Sequence, residues 1–314
     1  MKMTSAIASD LATLRSQLQM NSDEHANLLH LQPWRVLRDI LLDWILVFGA
    51  TALVFSAGVA WLPLVLLLIG NRQRALGNVL HDAGHGNLWR NRTLNDRLAQ
   101  LLVAPFIFAD LDRYRLTHFQ HHARLGDAAA DPDFLDRSGE PASDWLSAYA
   151  RYVFSWKGWL GSMGGHLFDP EVNLFAKAYI LVWWAGLLVV IGWLAGPDFV
   201  ALFVVLWLVA RGTVFHLITT FREMCDHYGL QPAGVFSFTR DVHTRGLLRH
   251  LIHPRNNGYH LTHHLLPAVP YYRLPEAHEW LQKSPIYRDR STICSRYFKG
   301  ADAVTRSWAA EGDR

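Results

Sequence analysis

Residues 175–218 read FAKAYILVWWAGLLVVIGWLAGPDFVALFVVLWLVARGTVFHLI, and this stretch decides the class of fold. Its charged residues are Lys177, Asp198 and Arg211 alone. One helical crossing of a bilayer needs ~20 apolar residues, so the run is long enough for two. Gly196-Pro197-Asp198 breaks it near the middle, which predicts a helical hairpin with spans over about 175–195 and 198–220. A second run of the same kind extends from Val36 to Gly70, with its charges (Arg38, Asp39, Asp43) gathered at the start and a turn offered by Ser56-Ala57-Gly58. It predicts spans over about 36–56 and 59–78. A soluble protein of this size rarely contains two such runs. The expected fold is therefore an all-α integral membrane protein with about four transmembrane helices in two hairpins.

Basic residues orient the hairpins. Arg35, Arg38, Arg72 and Arg74 flank the first, and Lys157, Lys177, Arg211 and Arg222 flank the second, while the tips near Gly58 and Gly196 carry no Lys or Arg. By the positive-inside rule both termini and both long polar segments, 71–174 and 219–314, lie on the cytoplasmic side. They form a cytoplasmic helical cap. The expected organisation is a polar N-terminal segment over 1–33, a membrane domain over 34–285 and a polar C-terminal tail over 286–314. Leu98 to Phe108 is apolar but too short to span, which suits a re-entrant or surface-lying helix. Residues 127–145, with Asp131-Pro132-Asp133, Gly139 and Pro141, read as a loop.

Composition agrees. Hydrophobic residues make up 51% of the chain and charged residues 18%, split between apolar runs and polar stretches rather than evenly mixed. Trp34, Trp61, Trp156 and Trp193 sit near the ends of the runs, as in an interfacial aromatic belt, although a Trp-rich soluble core gives the same count. A net charge of +3 without any basic tract argues against nucleic-acid binding. Two isolated cysteines, Cys225 and Cys294, indicate a reducing compartment on the side that carries the loops. No secretory signal precedes the first apolar run.

The chemistry lies in the histidines. His81 and His85 form HxxxH, His118, His121 and His122 form HxxHH, and His260, His263 and His264 form a second HxxHH. Residues i, i+3 and i+4 share one helical face, so each box aims its imidazoles at a common locus. A zinc ion takes three or four protein ligands; eight imidazoles imply two metal ions. Imidazole suits Zn, Cu, Fe and Ni alike, so ligand type does not choose among them. The ExxH pairs of soluble di-iron bundles and the HExxH of zinc proteases are absent from the boxes. A membrane zinc protein, either a protease or a metal-binding scaffold, would leave several imidazoles without a role. A transporter would place its polar residues at the bilayer midplane, whereas the boxes lie outside the spans.

The order HxxxH, HxxHH, HxxHH, with hairpins before and between, resembles the membrane fatty acid desaturase and hydroxylase superfamily. The resemblance runs from about residue 35 to 285 and includes His81-Asp82-Ala83-Gly84-His85-Gly86-Asn87, Asp131-Pro132-Asp133, and Asn257-Gly258-Tyr259-His260 onward to Pro267. It implies two iron ions held by the eight box histidines, O2 as co-substrate, and oxidation of an unactivated C–H bond in a fatty-acyl or similar lipid. Asp226-His227-Tyr228-Gly229 is similar to the EHYG segment of membrane alkane hydroxylases, which makes His227 the ninth ligand and puts Asp in place of Glu. Asp82, Glu223 and Asp226 are candidates to orient ligand imidazoles. His216, eleven residues before His227, is a candidate to hydrogen-bond a ligand or line a substrate channel. Trp183, Trp184 and Phe215 fit tunnel lining and ordinary packing equally well. His25, His30, His166, His243, His250, His253 and His278 fit no ligand pattern.

Desaturation is the activity the resemblance most often implies. Hydroxylation or ketolation of a lipid or alkane, and oxidative decarboxylation of a fatty acid to a terminal alkene, occur in the same superfamily. No rubredoxin-like cysteine pairs and no haem-binding domain are visible in the sequence, so electrons are expected from a separate ferredoxin, rubredoxin or cytochrome-type donor. Arg240, Arg245, Arg249 and Arg255 are candidates to steer an acidic carrier.

Overall fold

A computed structural model describes residues 3–135 and 142–309. Gly139 and Pro141 of the expected loop, and residues 310–314 of the expected tail, lie outside the described residues. The fold is almost wholly helical. In chain order it runs through α1 (Ser5–Gln17), α2 (Asp23–Leu28), α3 (Pro33–Ala57), α4 (Leu62–His85), α5 (Arg92–Leu102), α6 (Leu111–Arg124), α7 (Trp145–Val153) and α8 (Trp156–Gly164). It continues with α9 (Leu174–Ala195), α10 (Pro197–Ala210), a π-helical stretch over Arg211–Phe215, α11 (His216–His227), α12 (Val235–Phe238), α13 (Leu247–Ile252), α14 (His260–Leu265), α15 (Leu274–Leu281) and α16 (Pro285–Arg290). The only sheet among the described residues pairs β1 (Asp241–Val242) with β2 (Ile293–Cys294) in parallel. The chain divides into two compact units, each discontinuous in sequence.

One unit comprises residues 32–114 and 153–219 and carries the apolar helices. Three helices among the described residues are long and apolar enough to cross a membrane: one ending at Ala57, Leu174–Ala195 and Pro197–His227. The remaining expected span falls in α4, which is apolar from Leu62 to Ile69 and polar beyond it. The expected turns are where the hairpins reverse. Gly58 and Gly196 follow α3 and α9 with φ of 87° and 88°, a backbone that costs glycine little and other residues much. Pro63 and Pro197 then open the returning helices, where a missing N–H is no loss.

The charges inside the first run are accounted for by pairing. Asp43, fully buried on α3, accepts a hydrogen bond of 2.9 Å from Arg72 on α4. Between α4 and the π-helical stretch the backbones approach closely, since a Cβ on Gly70 would stand 2.7 Å from Val214.

Leu98 to Phe108 forms the end of α5 and a short 3-10 turn rather than a helix lying on the surface, with Val103, Ala104 and Phe106 fully buried. A helix end in apolar surroundings needs partners for its last carbonyls. Tryptophan indoles supply them. Trp44 donates to the Leu102 carbonyl, Trp183 to Leu101 and Trp184 to Pro105, at 3.1, 2.9 and 2.8 Å. Trp184 therefore has a packing role, and Phe106 stacks on Trp207 with ring centroids 4.2 Å apart. Arg211, at the start of the π-helical stretch, lies with its guanidinium 5.0 Å from the ring of Phe108 and 4.8 Å from that of Phe215, and donates to the Met163 carbonyl at the end of α8.

The second unit comprises residues 1–31, 115–152 and 220–314. Its core is built from Phe221, Met224, Cys225, Tyr228, Val242, Ile252, Tyr297, Val304 and Trp308. Both cysteines are reduced and buried there. Among the described residues, both polar end segments pack into this unit. Asp10 on α1 accepts from the Val235 N–H that opens α12 and from Arg290 on α16, both at 2.8 Å. The expected C-terminal tail supplies β2, and its aromatic residues Tyr287, Tyr297 and Trp308 are buried. Those three side chains, spaced through a polar stretch, draw it into the core. Trp308 packs edge-on against Phe221 at 5.1 Å. Replacing Trp308 with Ala is expected to destabilise this unit by about 3–5 kcal/mol, read as a lower unfolding midpoint in detergent. A loss below ~1 kcal/mol would place the segment outside the cooperative core.

Candidate metal centre

Seven of the nine expected ligands lie in the second unit, on three helices. His118, His121 and His122 occupy the last two turns of α6, His227 ends α11, and His260, His263 and His264 fall in the single short helix α14. The i, i+3, i+4 spacing places each set on one face, as the sequence predicts. His121, His227, His260 and His264 converge. The Nε2 atoms of His227 and His260 are 2.9 Å apart, those of His260 and His264 3.0 Å, and those of His264 and His121 3.2 Å. One donor atom from each of the four lies within 4.8 Å of the others, and all four residues are buried. Two imidazoles bound to one ion at ~2.0–2.1 Å have ligand nitrogens roughly 2.8–3.4 Å apart when their bonds subtend 90–109°. The spacing fits a metal ion.

Proton bookkeeping supports the same reading. The Phe238 carbonyl, 2.8 Å from His227 Nδ1, can only accept, so Nδ1 carries the ring proton and Nε2 presents a lone pair inward. Asp131 does the same for His121, accepting from Nδ1 at 2.7 Å. Asp226, whose side chain is fully buried, lies 3.5 Å from His260 Nδ1 and 3.1 Å from Arg222. Converging lone pairs repel one another in the absence of a cation. Burial pushes the basicity of His264 well below its ordinary value, and the neighbouring imidazoles of His122, His260, His121 and His227 add to the effect. Burial also opposes protonation of His121, but the hydrogen bond to Asp131 and the charges of Asp133, Asp131 and Asp226 outweigh it. A ligand polarised by a buried carboxylate in this way is a stronger donor to a metal.

A second grouping adjoins the first. His122 Nε2 is 3.1 Å from the Nε2 atoms of both His118 and His263, and its ring stacks on His264 at 4.1 Å. His81 and His85 form their own pair on the last turn of α4, rings 5.2 Å apart, in the apolar unit. That helix stops at Gly86, which takes φ of 85°.

Of the expected supporting residues, Asp82 is buried with Oδ1 3.6 Å from His81 Nδ1. Glu223 is about half exposed and 4.0 Å from Arg222. His216 uses both ring nitrogens within the apolar unit, Nδ1 with the Ser162 hydroxyl at 2.8 Å and Nε2 with the Val153 carbonyl at 2.9 Å. That leaves neither for a ligand imidazole. Sequence reasoning passed over Asp131 and the Phe238 carbonyl. Asp131 was visible as the first acid of Asp131-Pro132-Asp133, ten residues after His121; a backbone carbonyl leaves no such signal. Asp131 also accepts the N–H groups of Gly126 and Asp133, at 2.8 and 3.0 Å.

Helices long and apolar enough to span a membrane, and a buried nest of imidazoles spaced to hold metal, define the class as a histidine-rich membrane protein. The fatty acid desaturase family model matches residues 59–293, and the chain belongs to that family. It is an oxidoreductase associated with membranes. A dihydrorhizobitoxine desaturase of Bradyrhizobium elkanii is 29% identical over 291 residues, covering 86% of this chain and 82% of the relative. A chloroplastic omega-3 fatty acid desaturase of Glycine max is 30% identical over 284 residues, covering 79% of this chain and 60% of the relative. An sn-1 acyl-lipid omega-3 desaturase (ferredoxin) of Nostoc sp. (strain 36) is 27% identical, covering 75% and 72%.

Proposed function

We propose that the protein is a di-iron lipid desaturase, taking electrons from a separate carrier and removing two hydrogens from an acyl or comparable chain at the expense of O2. The convergence of four imidazoles at 2.9–3.2 Å carries the reading. His121, His227, His260 and His264 would hold one iron. His118, His122 and His263, with His81 and His85 assigned by the family's pattern of boxes, would hold the other. Iron with dioxygen supplies the oxidant for the C–H bond. The chain's own residues prepare the place for it. Asp131 and the Phe238 carbonyl fix which nitrogen of their partner rings faces inward, Asp226 places a buried carboxylate 3.5 Å from His260 Nδ1, and burial of the nest excludes water. Relatives that differ in named substrate, dihydrorhizobitoxine in one and fatty acids in others, are all named desaturases, which favours a double bond over an alcohol as product.

In this reading α3, α4, α9 and α10 form four spans in two hairpins, with the histidines at the cytoplasmic face, the side indicated by the basic flanks. A domain over 34–285 contains the catalytic machinery. Three relatives carry ferredoxin in their names, and a ferredoxin is the donor proposed here.

The test is a lipid and hydrocarbon profile, by gas chromatography with mass spectrometry, of a host expressing this chain or its His263→Ala variant. A new unsaturated product that vanishes in the variant is expected. An oxygenated lipid or a terminal alkene would revise the reaction. Identical profiles across varied lipids, with a ferredoxin supplied and one zinc rather than about two iron ions bound per chain, would overturn it.

A further inference from the structure

The third histidine box sits on a helix that has little means of holding its own shape. Six residues are too few for a stable isolated helix. Its N-cap, Tyr259, makes no side-chain capping bond, so the first N–H groups need acceptors from elsewhere. Asp241 provides one. It lies on β1, is fully buried, and its Oδ1 accepts the Thr262 N–H at 3.0 Å. Its Oδ2 accepts the Thr262 hydroxyl at 2.7 Å and the Tyr287 hydroxyl at 3.0 Å. Thr262 stands between His260 and His263. A carboxylate at the start of a helix is also favoured by the helix dipole.

The carboxylate is itself held from behind. Tyr287 Oη lies 2.7 Å from His278 Nδ1, and His278 Nε2 is met by Gln282 at 3.2 Å. His243 Nε2 and His278 Nδ1 approach Asp241 Oδ2 at 3.5 and 3.3 Å. The backbone of the strand is braced too: Asp241 N–H donates to the Thr292 carbonyl, and Val242 N–H to the Gly258 carbonyl just before the box. Asp241, His243 and His278 have the composition of a metal triad. Yet Oδ2 already accepts from two hydroxyls, and His278 is met by Tyr287 and Gln282, so within the triad only His243 Nε2 is buried without a hydrogen-bond partner.

We propose that Asp241, with Tyr287 and His278 behind it, is a positioning residue that locks Thr262 and thereby sets the imidazoles of His260, His263 and His264 for metal. This inference rests on the metal-binding reading of the preceding subsection. It gives a role to His278, one of the histidines that fit no ligand pattern.

The experiment uses the full chain in detergent, stripped of metal and titrated with Co(II), whose visible bands report ligand geometry, with iron content measured alongside. Four variants are compared with the unaltered protein: Asp241→Asn, Tyr287→Phe, Trp308→Ala and His264→Ala. Trp308→Ala weakens the same unit away from the box, so it separates positioning from general stability. Asp241→Asn is expected to weaken Co(II) binding by ~10–100-fold and to shift the bands. Tyr287→Phe, which keeps the carboxylate, should give a smaller loss and carries the test alone if Asp241→Asn does not fold. Trp308→Ala should bind as the unaltered protein does. Wild-type affinity and bands in both Asp241→Asn and Tyr287→Phe would overturn the proposal, as would equal losses in these variants and Trp308→Ala. A third ion that disappears in a His243→Ala variant would make the cluster a ligand set instead. If the unaltered protein and His264→Ala alike take up neither Co(II) nor iron, the metal reading falls and this one with it.

Discussion

Replacing His264 with Ala is expected to abolish product formation and to lower bound iron from about two ions per chain to about one. His264 is the hub of the nest. Its Nε2 stands 3.2 Å from His121 and 3.0 Å from His260, and its ring stacks on His122. Removing it takes away one donor and also the ring that separates the two groupings. Burial and the neighbouring imidazoles lower the basicity of His264, which favours the neutral ring that a metal needs. Metal analysis of purified protein, with the lipid profile of the same cells, checks both parts. Unchanged iron with lost product would assign His264 to substrate handling. Unchanged product would remove it from the centre altogether.

Asp131→Asn is expected to cost ~10–100-fold in metal affinity or activity, the usual range for a residue that orients a ligand. The carboxylate accepts three hydrogen bonds, from His121 Nδ1 and from the N–H groups of Gly126 and Asp133. An amide can still accept on its oxygen but turns a donor toward one of these groups, leaving two buried donors face to face. Asp131→Ala should be at least as damaging, since it leaves every one of them without that acceptor. Iron per chain and turnover, measured for Asp131→Asn, Asp131→Ala and the exposed neighbour Asp133→Asn, check the assignment. Equal effects at 131 and 133 would show that the loop needs negative charge rather than a specific orienting contact.

The boxes were legible in the sequence because helical periodicity is a local property. The spacing of His118, His121 and His122 determines which side of α6 they occupy whatever surrounds it. The hairpin turns were legible for the same reason, since Gly58 and Gly196 mark reversals with a backbone other residues avoid. What the sequence hid depends on distance along the chain. Asp241 lies 21 residues from Thr262 and 46 from Tyr287, and no periodicity links such separations. The carbonyl that orients His227 belongs to Phe238 by virtue of where α12 ends, not of its side chain. His216 is a related case. An ionisable residue in an apolar run invites a functional reading, and only the fold shows that Ser162 and the Val153 carbonyl engage both of its ring nitrogens. The C-terminal segment reads as a polar tail from its average, and that average does not show that Tyr287, Tyr297 and Trp308 are buried.

The pairing of β1 with β2 brings Asp241 beside Ile293 and Val242 beside Cys294. These partners are separated by some fifty residues of chain that include the whole third box, so the strand pair can close only after residues 293–294 have left the ribosome. Core residues Val304 and Trp308 arrive later still. His118, His121 and His122 are made long before, and they must wait through the synthesis of both apolar helices α9 and α10 without their partners. Contacts of such long sequence separation form late and slowly. If the nest holds iron as proposed, its loading is completed only after the third box and the strand that braces it have been made.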